Sequence, residues 1–206
     1  GAMATGWKFL GGGWYYLLPG KGNMVTGWAY IDNVWYYLNS DGAMSTGWLL
    51  DNKIWYYLES SGRMSVGWKL INNTWYFLNT NGAMQIEWKY INKKWYYFYS
   101  SGAMATGWVL DGRYWYYLKS DGAMAVNWLT IAGKTYFLNP NGSMVTGWKK
   151  INNLWYYFDA NGAMVKGWLL EGNSWYYLKS DGSMATGRVI LNNKVYNMSK
   201  SGVWIP

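Results

Sequence analysis

The chain has 206 residues and a formal charge of +8, from 18 Lys and Arg against 10 Asp and Glu, with no His and no Cys. The missing imidazole and thiol exclude thiolate nucleophiles, Ser-His-Asp arrangements and most zinc sites, leaving carboxylates and hydroxyls for any chemistry. The basic residues are spread along the chain without a dense tract, which favours a polyanionic partner and speaks against nucleic acid.

Composition narrows the class further. The 18 Trp and 21 Tyr stand against only 5 Phe, so most of the aromatic mass carries a polar handle and suits partly wet surfaces. No apolar run approaches a membrane span, and no charged segment followed by an apolar one opens the chain, so no leader is legible. The lack of Cys means a fold without disulfides and is compatible with a bacterial exterior. Gly1-Ala2-Met3 match both the Gly-x-Met seen below and a common cloning scar.

Trp28, Trp48, Trp68, Trp88, Trp108, Trp128, Trp148 and Trp168 recur at an interval of twenty, so the chain is an array of one small unit. Each unit borrows apolar surface from its neighbours, and residues 1–206 read as a single module. The first unit carries Trp7 and Trp14 and reaches Trp28 after twenty-one residues, the extra one falling in the turn Leu18-Pro19-Gly20-Lys21. The following units place a second Trp at 35, 55, 75, 95 and 115 without a slip. The seventh keeps Trp128 but has Thr135 in the second place; the eighth and ninth recover with Trp148/Trp155 and Trp168/Trp175. The last repeat, 188–206, has Arg188 and Val195 at the two Trp positions and reads as a degenerate cap.

Within a unit, Trp28-Ala29-Tyr30-Ile31 and Val34-Trp35-Tyr36-Tyr37-Leu38 are aromatic and β-branched and are separated by Asp32-Asn33, which predicts a β-hairpin. The same turn position is read at Asn72-Asn73, Asp111-Gly112, Asn152-Asn153 and Glu171-Gly172. A polar loop such as Asn39-Ser40-Asp41-Gly42 follows each hairpin, and its Gly recurs at 62, 82, 102, 122, 142, 162 and 182, as a tight turn requires. About ten hairpins in series predict an all-β solenoid of roughly twenty-residue repeats.

Alternation puts Trp35 and Tyr37 on one strand face and Tyr36 and Leu38 on the other, so every hairpin shows rings both ways. Trp28 and Trp35 form two walls of a notch to which the next hairpin adds a third ring. A quaternary ammonium fits such a notch. It donates no hydrogen bond, so it leaves water more cheaply than a primary ammonium, and ring faces attract its charge and methyls together. No carboxylate is needed, and the acids sit mostly at turns and loops. Packing between units is the competing account of these rings, and Met24, Met44 and Met64 are read as packing. Asp41, Asp121 and Asp181 are read as turn residues.

Gly-Trp, then Trp-Tyr-Tyr-Leu/Phe seven residues on, then Asn-x-x-Gly-x-Met-x-Thr-Gly-Trp resembles the choline-binding repeat of Gram-positive surface proteins and cell-wall lysins of the pneumococcal type, over essentially the whole chain. The resemblance implies a left-handed superhelix of loop-hairpin units. It also implies choline held between hairpins by two Trp of one repeat and an aromatic of the next, often closed by a Met.

Carried over by position, it implies cages at Trp7/Trp14/Tyr36, Trp28/Trp35/Tyr56, Trp48/Trp55/Tyr76 and Trp68/Trp75/Tyr96. The set continues with Trp88/Trp95/Tyr116, Trp108/Trp115/Tyr136, Trp148/Trp155/Tyr176 and Trp168/Trp175/Tyr196. Alternation points the first Tyr of each pair at the preceding unit; the second Tyr is the alternative. Trp128 lacks its partner, so its cage is expected to be weak or absent. Glu87 and Asn127 replace the Gly before Trp88 and Trp128, which puts the backbone and the sites there in question.

The resemblance implies a secreted, non-catalytic module of the bacterial cell surface. Its ligand would be choline or phosphocholine, and its partner choline-decorated teichoic or lipoteichoic acid of the cell wall. No cofactor, metal, nucleic acid or transmembrane segment is expected, and a dimer and an adhesin role are left open. A glucan-binding repeat is the alternative; it would stack sugars on similar rings and need polar partners for their hydroxyls.

Overall fold

The computed structural model describes residues 4–206; Gly1-Ala2-Met3 lie outside them. The described residues form no helix and ten antiparallel hairpins in series, each of two five-residue strands, from Gly6–Leu10 with Gly13–Leu17 to Gly187–Leu191 with Lys194–Met198. The chain is thus the expected all-β array of tandem hairpins. It divides into two compact units, Gly1–Ala105 and Thr106–Pro206.

Two-residue turns close the hairpins, in most of them with both residues left-handed: φ is 48° at Asn72 and 60° at Asn73 between strands Gly67–Ile71 and Thr74–Leu78. That mirror-image turn matches the right-handed strand twist, and Asn tolerates it. In two repeats the turn falls one residue later than expected. Asp111 pairs with Tyr114 and Glu171 with Ser174, so the turns are Gly112-Arg113 and Gly172-Asn173. Each Gly takes the first turn place, at φ 59° and 60°, as the one left-handed residue of its turn, and each acid ends its strand.

Register decides which rings share a face. Trp28 lies opposite Tyr37 and Tyr30 opposite Trp35, so these four project to one side and Tyr36 and Leu38 to the other. The last strand residue is the core: Leu38, Leu58, Leu78, Phe98, Leu118, Leu138, Phe158 and Leu178 are fully buried. The second to ninth repeats therefore each contribute one Leu or Phe anchor. The second Trp of each hairpin does not serve this purpose.

Successive repeats are joined by backbone as well as by rings. The Met64 N–H donates to the Trp35 carbonyl at 2.9 Å, while the Ser65 N–H donates to the Tyr57 carbonyl at 2.8 Å, so one short linker is bonded to two consecutive hairpins. Met44 and Ser45 repeat the pattern on Trp14 and Tyr37. Met164 does the same on the carbonyl of Thr135 at 2.7 Å; because the acceptor is backbone, the seventh repeat keeps its stacking without its second Trp. The extra residue in the first linker is absorbed at Pro19-Gly20, where the Gly22 N–H donates to the Leu18 carbonyl at 2.8 Å.

The backbone at the position before the first Trp does not depart from the repeat. Glu87 and Asn127 adopt φ 62° and 65°, close to the 77° of Gly67, and a Cβ at Gly67 would meet nothing within 4 Å. The position demands a left-handed torsion, not space. Asn supplies it readily, whereas Glu87 holds it at a cost of about 1–2 kcal/mol.

The loop Gly is constrained by contact as well. Gly82 has φ 79°, its N–H donates to the Asn79 carbonyl at 2.9 Å, and a Cβ there would overlap the Sδ of Met64. Gly82→Ala is expected to cost about 1–2 kcal/mol from the torsion alone, read as a lower urea midpoint, and to push Met64 aside. Adding Met64→Ala should recover the overlap component and leave the torsional one. Full recovery in the double variant would mean that the torsion costs nothing.

Candidate functional site

In six hairpins the outward face carries two Trp at nearly right angles. Ring centroids lie 6.4 Å apart at 83° for Trp28 and Trp35, 6.3 Å at 89° for Trp48 and Trp55, and 6.3 Å at 87° for Trp68 and Trp75. Trp148/Trp155 and Trp168/Trp175 repeat this at 6.5 and 6.3 Å, both at 85°. The third wall comes from the next hairpin. Tyr56 lies 4.7 Å from Trp28, Tyr76 4.8 Å from Trp48, Tyr96 4.8 Å from Trp68 and Tyr36 4.8 Å from Trp7. In the second unit Tyr136 lies 5.0 Å from Trp108, Tyr176 4.8 Å from Trp148 and Tyr196 5.0 Å from Trp168. The second Tyr instead packs within its own hairpin, as Tyr57 does on Trp48 at 5.2 Å.

Trp88 and Trp95 stand 6.5 Å apart at 80° in the first unit, and Tyr116 belongs to the second. Burial, and then the charge of Asp111, pushes the Tyr116 phenol above its ordinary range.

Four of these arrangements enclose cavities of about 260 to 350 Å³. Trp28, Trp35 and Tyr56 are joined by Met64 and the loop residues Thr80 and Asn81. Trp7, Trp14 and Tyr36 are joined by Met44, Ser60 and Ser61, and Trp108, Trp115 and Tyr136 by Met144, Ala160 and Asn161. Met is therefore both packing and cavity wall, which extends the packing role read from the sequence. The loop residues were not singled out by sequence, because they come from two repeats further on and no local pattern marks them.

The seventh repeat is different. Trp128 keeps Tyr156 at 5.0 Å, but Thr135 offers only a hydroxyl, 3.4 Å from that of Thr130. Trp128 is packed on its inner side by Phe137 and Phe158, with Phe137, Val145, Ile151 and Phe158 forming a small apolar cluster. It has one perpendicular wall too few.

No charged side chain lines the four cavities. Asp51 accepts a hydrogen bond from Nε1 of the lining Trp28 at 3.0 Å. Glu171 accepts one from Tyr157 Oη at 2.8 Å, which raises the Tyr157 pKa. Elsewhere charges serve loops. Lys69 holds Glu59 below the usual carboxylate range through a 2.8 Å bond, and Ser183 does the same for Asp181. Among the described residues no group of three or more metal-ligating side chains occurs.

What such an arrangement can do follows from exposure. The second Trp of each of the eight complete pairs is 41 to 45% exposed, an amount that inter-repeat packing alone would remove from water. The six pairs set at 80 to 89° offer two nearly perpendicular electron-rich faces to a small, apolar, positively charged guest.

Comparison with known proteins gives the same pattern a family. The choline-binding repeat profile matches residues 25–66, 86–129 and 145–188, more than half of the chain, and a cell wall binding repeat profile matches 5–24, 66–84 and 127–144. Among solved structures, CbpJ from Streptococcus pneumoniae TIGR4 is 30% identical with a TM-score of 0.78, over 98% of this chain and 94% of that one. Choline binding protein F from the same species is 31% identical with a TM-score of 0.74, over 98% and 87%. The pneumococcal modular autolysin LytC is 32% identical with a TM-score of 0.71, and the 98% of this chain that aligns spans 47% of it. Comparison with curated proteins finds no match. Profile and structures agree: the chain belongs to the choline-binding repeat family.

Proposed function

We propose that residues 1–206 act as one non-catalytic module that anchors a protein to the phosphocholine of teichoic or lipoteichoic acid at the bacterial cell surface. The cages would be the Trp-Trp-Tyr sets described above. The observation that carries the reading is the repeated pair of half-exposed, mutually perpendicular Trp rings closed by a Tyr, with no charged group lining the cavities. Such a box suits trimethylammonium, whose charge needs ring faces more than a counter-ion. Choline binding protein F has been crystallised with ipratropium, itself a quaternary ammonium, which supports that ligand class here.

Magnitudes explain the repetition. A ring face contributes about 0.5–2 kcal/mol, so three rings less the cost of association leave about 4 kcal/mol, roughly millimolar affinity. One cage is a poor anchor. Several facing a polymer with many choline groups gain a factor of about 10²–10⁴ through effective concentration. The net charge of +8 favours approach to the phosphate-rich chain.

Ligand held between hairpins ties neighbouring repeats together, so free choline in large excess should stabilise the fold. At a hundred times the dissociation constant one site adds about 2.7 kcal/mol, and the thermal midpoint should rise by several degrees, with release from a choline resin over the same range of concentration. An unchanged midpoint together with retention on dextran would instead establish the sugar-binding alternative.

A further inference from the structure

The cavity over the ninth repeat differs from the other three in one wall. Trp168, Trp175 and Tyr196 stand as elsewhere, but the fourth wall is Trp204, whose ring lies 6.2 Å from Trp168 and 6.4 Å from Tyr196. Thirty-six residues separate Trp168 from Trp204, as they separate Trp28 from Met64 and Trp108 from Met144. The backbone agrees with the count. Trp204, in the short strand Trp204–Ile205, pairs with Met198 as Met64 pairs with Leu58 and Met144 with Leu138. Trp204 therefore occupies the place that the other repeats give to Met.

The exchange alters the chemistry of the box. Met64 and Met144 offer a cation polarisable thioethers, whereas an indole offers a face with a permanent negative quadrupole. The cavity of about 290 Å³ is lined by the four rings alone, without the Ser, Thr or Asn side chains found at the other three. Nothing in it rewards a hydroxyl, and every wall rewards an alkylated cation.

Resting on the choline reading above, we propose that Trp204 is an affinity- and specificity-determining residue. It makes the Trp168/Trp175/Tyr196 cage the tightest quaternary-ammonium site of the array, the one filled first, with the trimethylammonium head recognised regardless of the rest of the ligand. One additional ring face should tighten that site about three- to thirtyfold relative to a Met-closed cage.

Titration of protein labelled with 5-fluorotryptophan, followed by fluorine NMR, reads the sites separately once the Trp175 and Trp35 signals are assigned with Trp175→Phe and Trp35→Phe. The Trp175 signal should reach its midpoint at a choline concentration about three- to thirtyfold below that of Trp35. Tetramethylammonium should match choline at Trp175. Trp204→Met, which restores the residue of the other repeats, should bring the Trp175 midpoint up to that of Trp35. Trp204→Phe should fall between, with circular dichroism reporting that both variants keep their strands. Coincident midpoints in the parent protein, or a Trp175 midpoint that ignores both substitutions, would overturn the role of Trp204 while leaving choline binding standing. Signals that fail to move at any choline concentration would overturn the choline reading and this one with it.

Discussion

Replacing Trp35, Trp75, Trp115 and Trp155 together by Ala is expected to weaken retention on a surface dense in phosphocholine by a factor of roughly 10²–10⁴, while Trp35→Ala alone costs less than about tenfold. The four rings are 41 to 43% exposed and contribute no fully buried side chain, so their loss removes binding faces without emptying the core. The pairs that hold Trp14, Trp55, Trp95 and Trp175 stay complete, so the variant should retain sites that bind free choline about as before. The deficit belongs to avidity: fewer sites engage one polymer at once, and each lost link removes its share of effective concentration. Surface plasmon resonance on a phosphocholine-coated chip, beside calorimetry with free choline, separates the two terms. Trp128→Ala is the internal control, because Trp128 has Thr135 in place of a second Trp in its hairpin and should contribute little to retention. A loss from Trp128→Ala as large as that from Trp35→Ala would show that the paired-Trp box is not the binding unit.

Much of this architecture was legible because a twenty-residue period transmits every local signal many times. The hairpins follow from Trp-Tyr-Tyr-Leu strands around Asn-Asn, and the left-handed φ of Asn72 and Asn73 is the conformation that Asn tolerates best. Alternation was sufficient to aim Tyr56 at Trp28, and the ring distance of 4.7 Å follows from it. The turn position was less legible in the sixth and ninth repeats. Asp111-Gly112 and Glu171-Gly172 look like turn dipeptides, yet the pairing register keeps each acid in its strand. Glu87 looked disruptive because side chains disfavour positive φ, but the open space at that position leaves torsional strain as the only demand.

What the sequence concealed are walls supplied from a distance. Thr80 and Asn81 reach a cavity whose first Trp lies more than fifty residues earlier, and no local periodicity connects them. Trp204 was hidden for a different reason. It stands in the proper register but bears the wrong residue type for its place, so a search for Met passes over it.

Stability should rest on different residues from binding, and Leu78→Ala tests that separation. Leu78 is fully buried where strand Thr74–Leu78 ends, and it pairs with the linker at Met84. Truncation is expected to cost about 2–5 kcal/mol, seen as a fall in the urea midpoint. Leu70→Ala, on a side chain that is 48% exposed in the same hairpin, should stay within about 0.5 kcal/mol. The loss should also be partly reversible by ligand. Choline in a cage braces two consecutive hairpins from outside while Leu78 braces them from within, so choline should raise the midpoint of Leu78→Ala by as much as it raises that of the parent, about 2.7 kcal/mol per site at a hundredfold excess over the dissociation constant. Equal rescue means that the cages survive the cavity beneath them, as expected for rings held by their own strand register and by the Met N–H bond to the Trp carbonyl. If rescue vanished in Leu78→Ala but persisted in Leu70→Ala, core and cage would be one cooperative structure, and the exposed Trp pairs would depend on the buried Leu for their angle as well as their support.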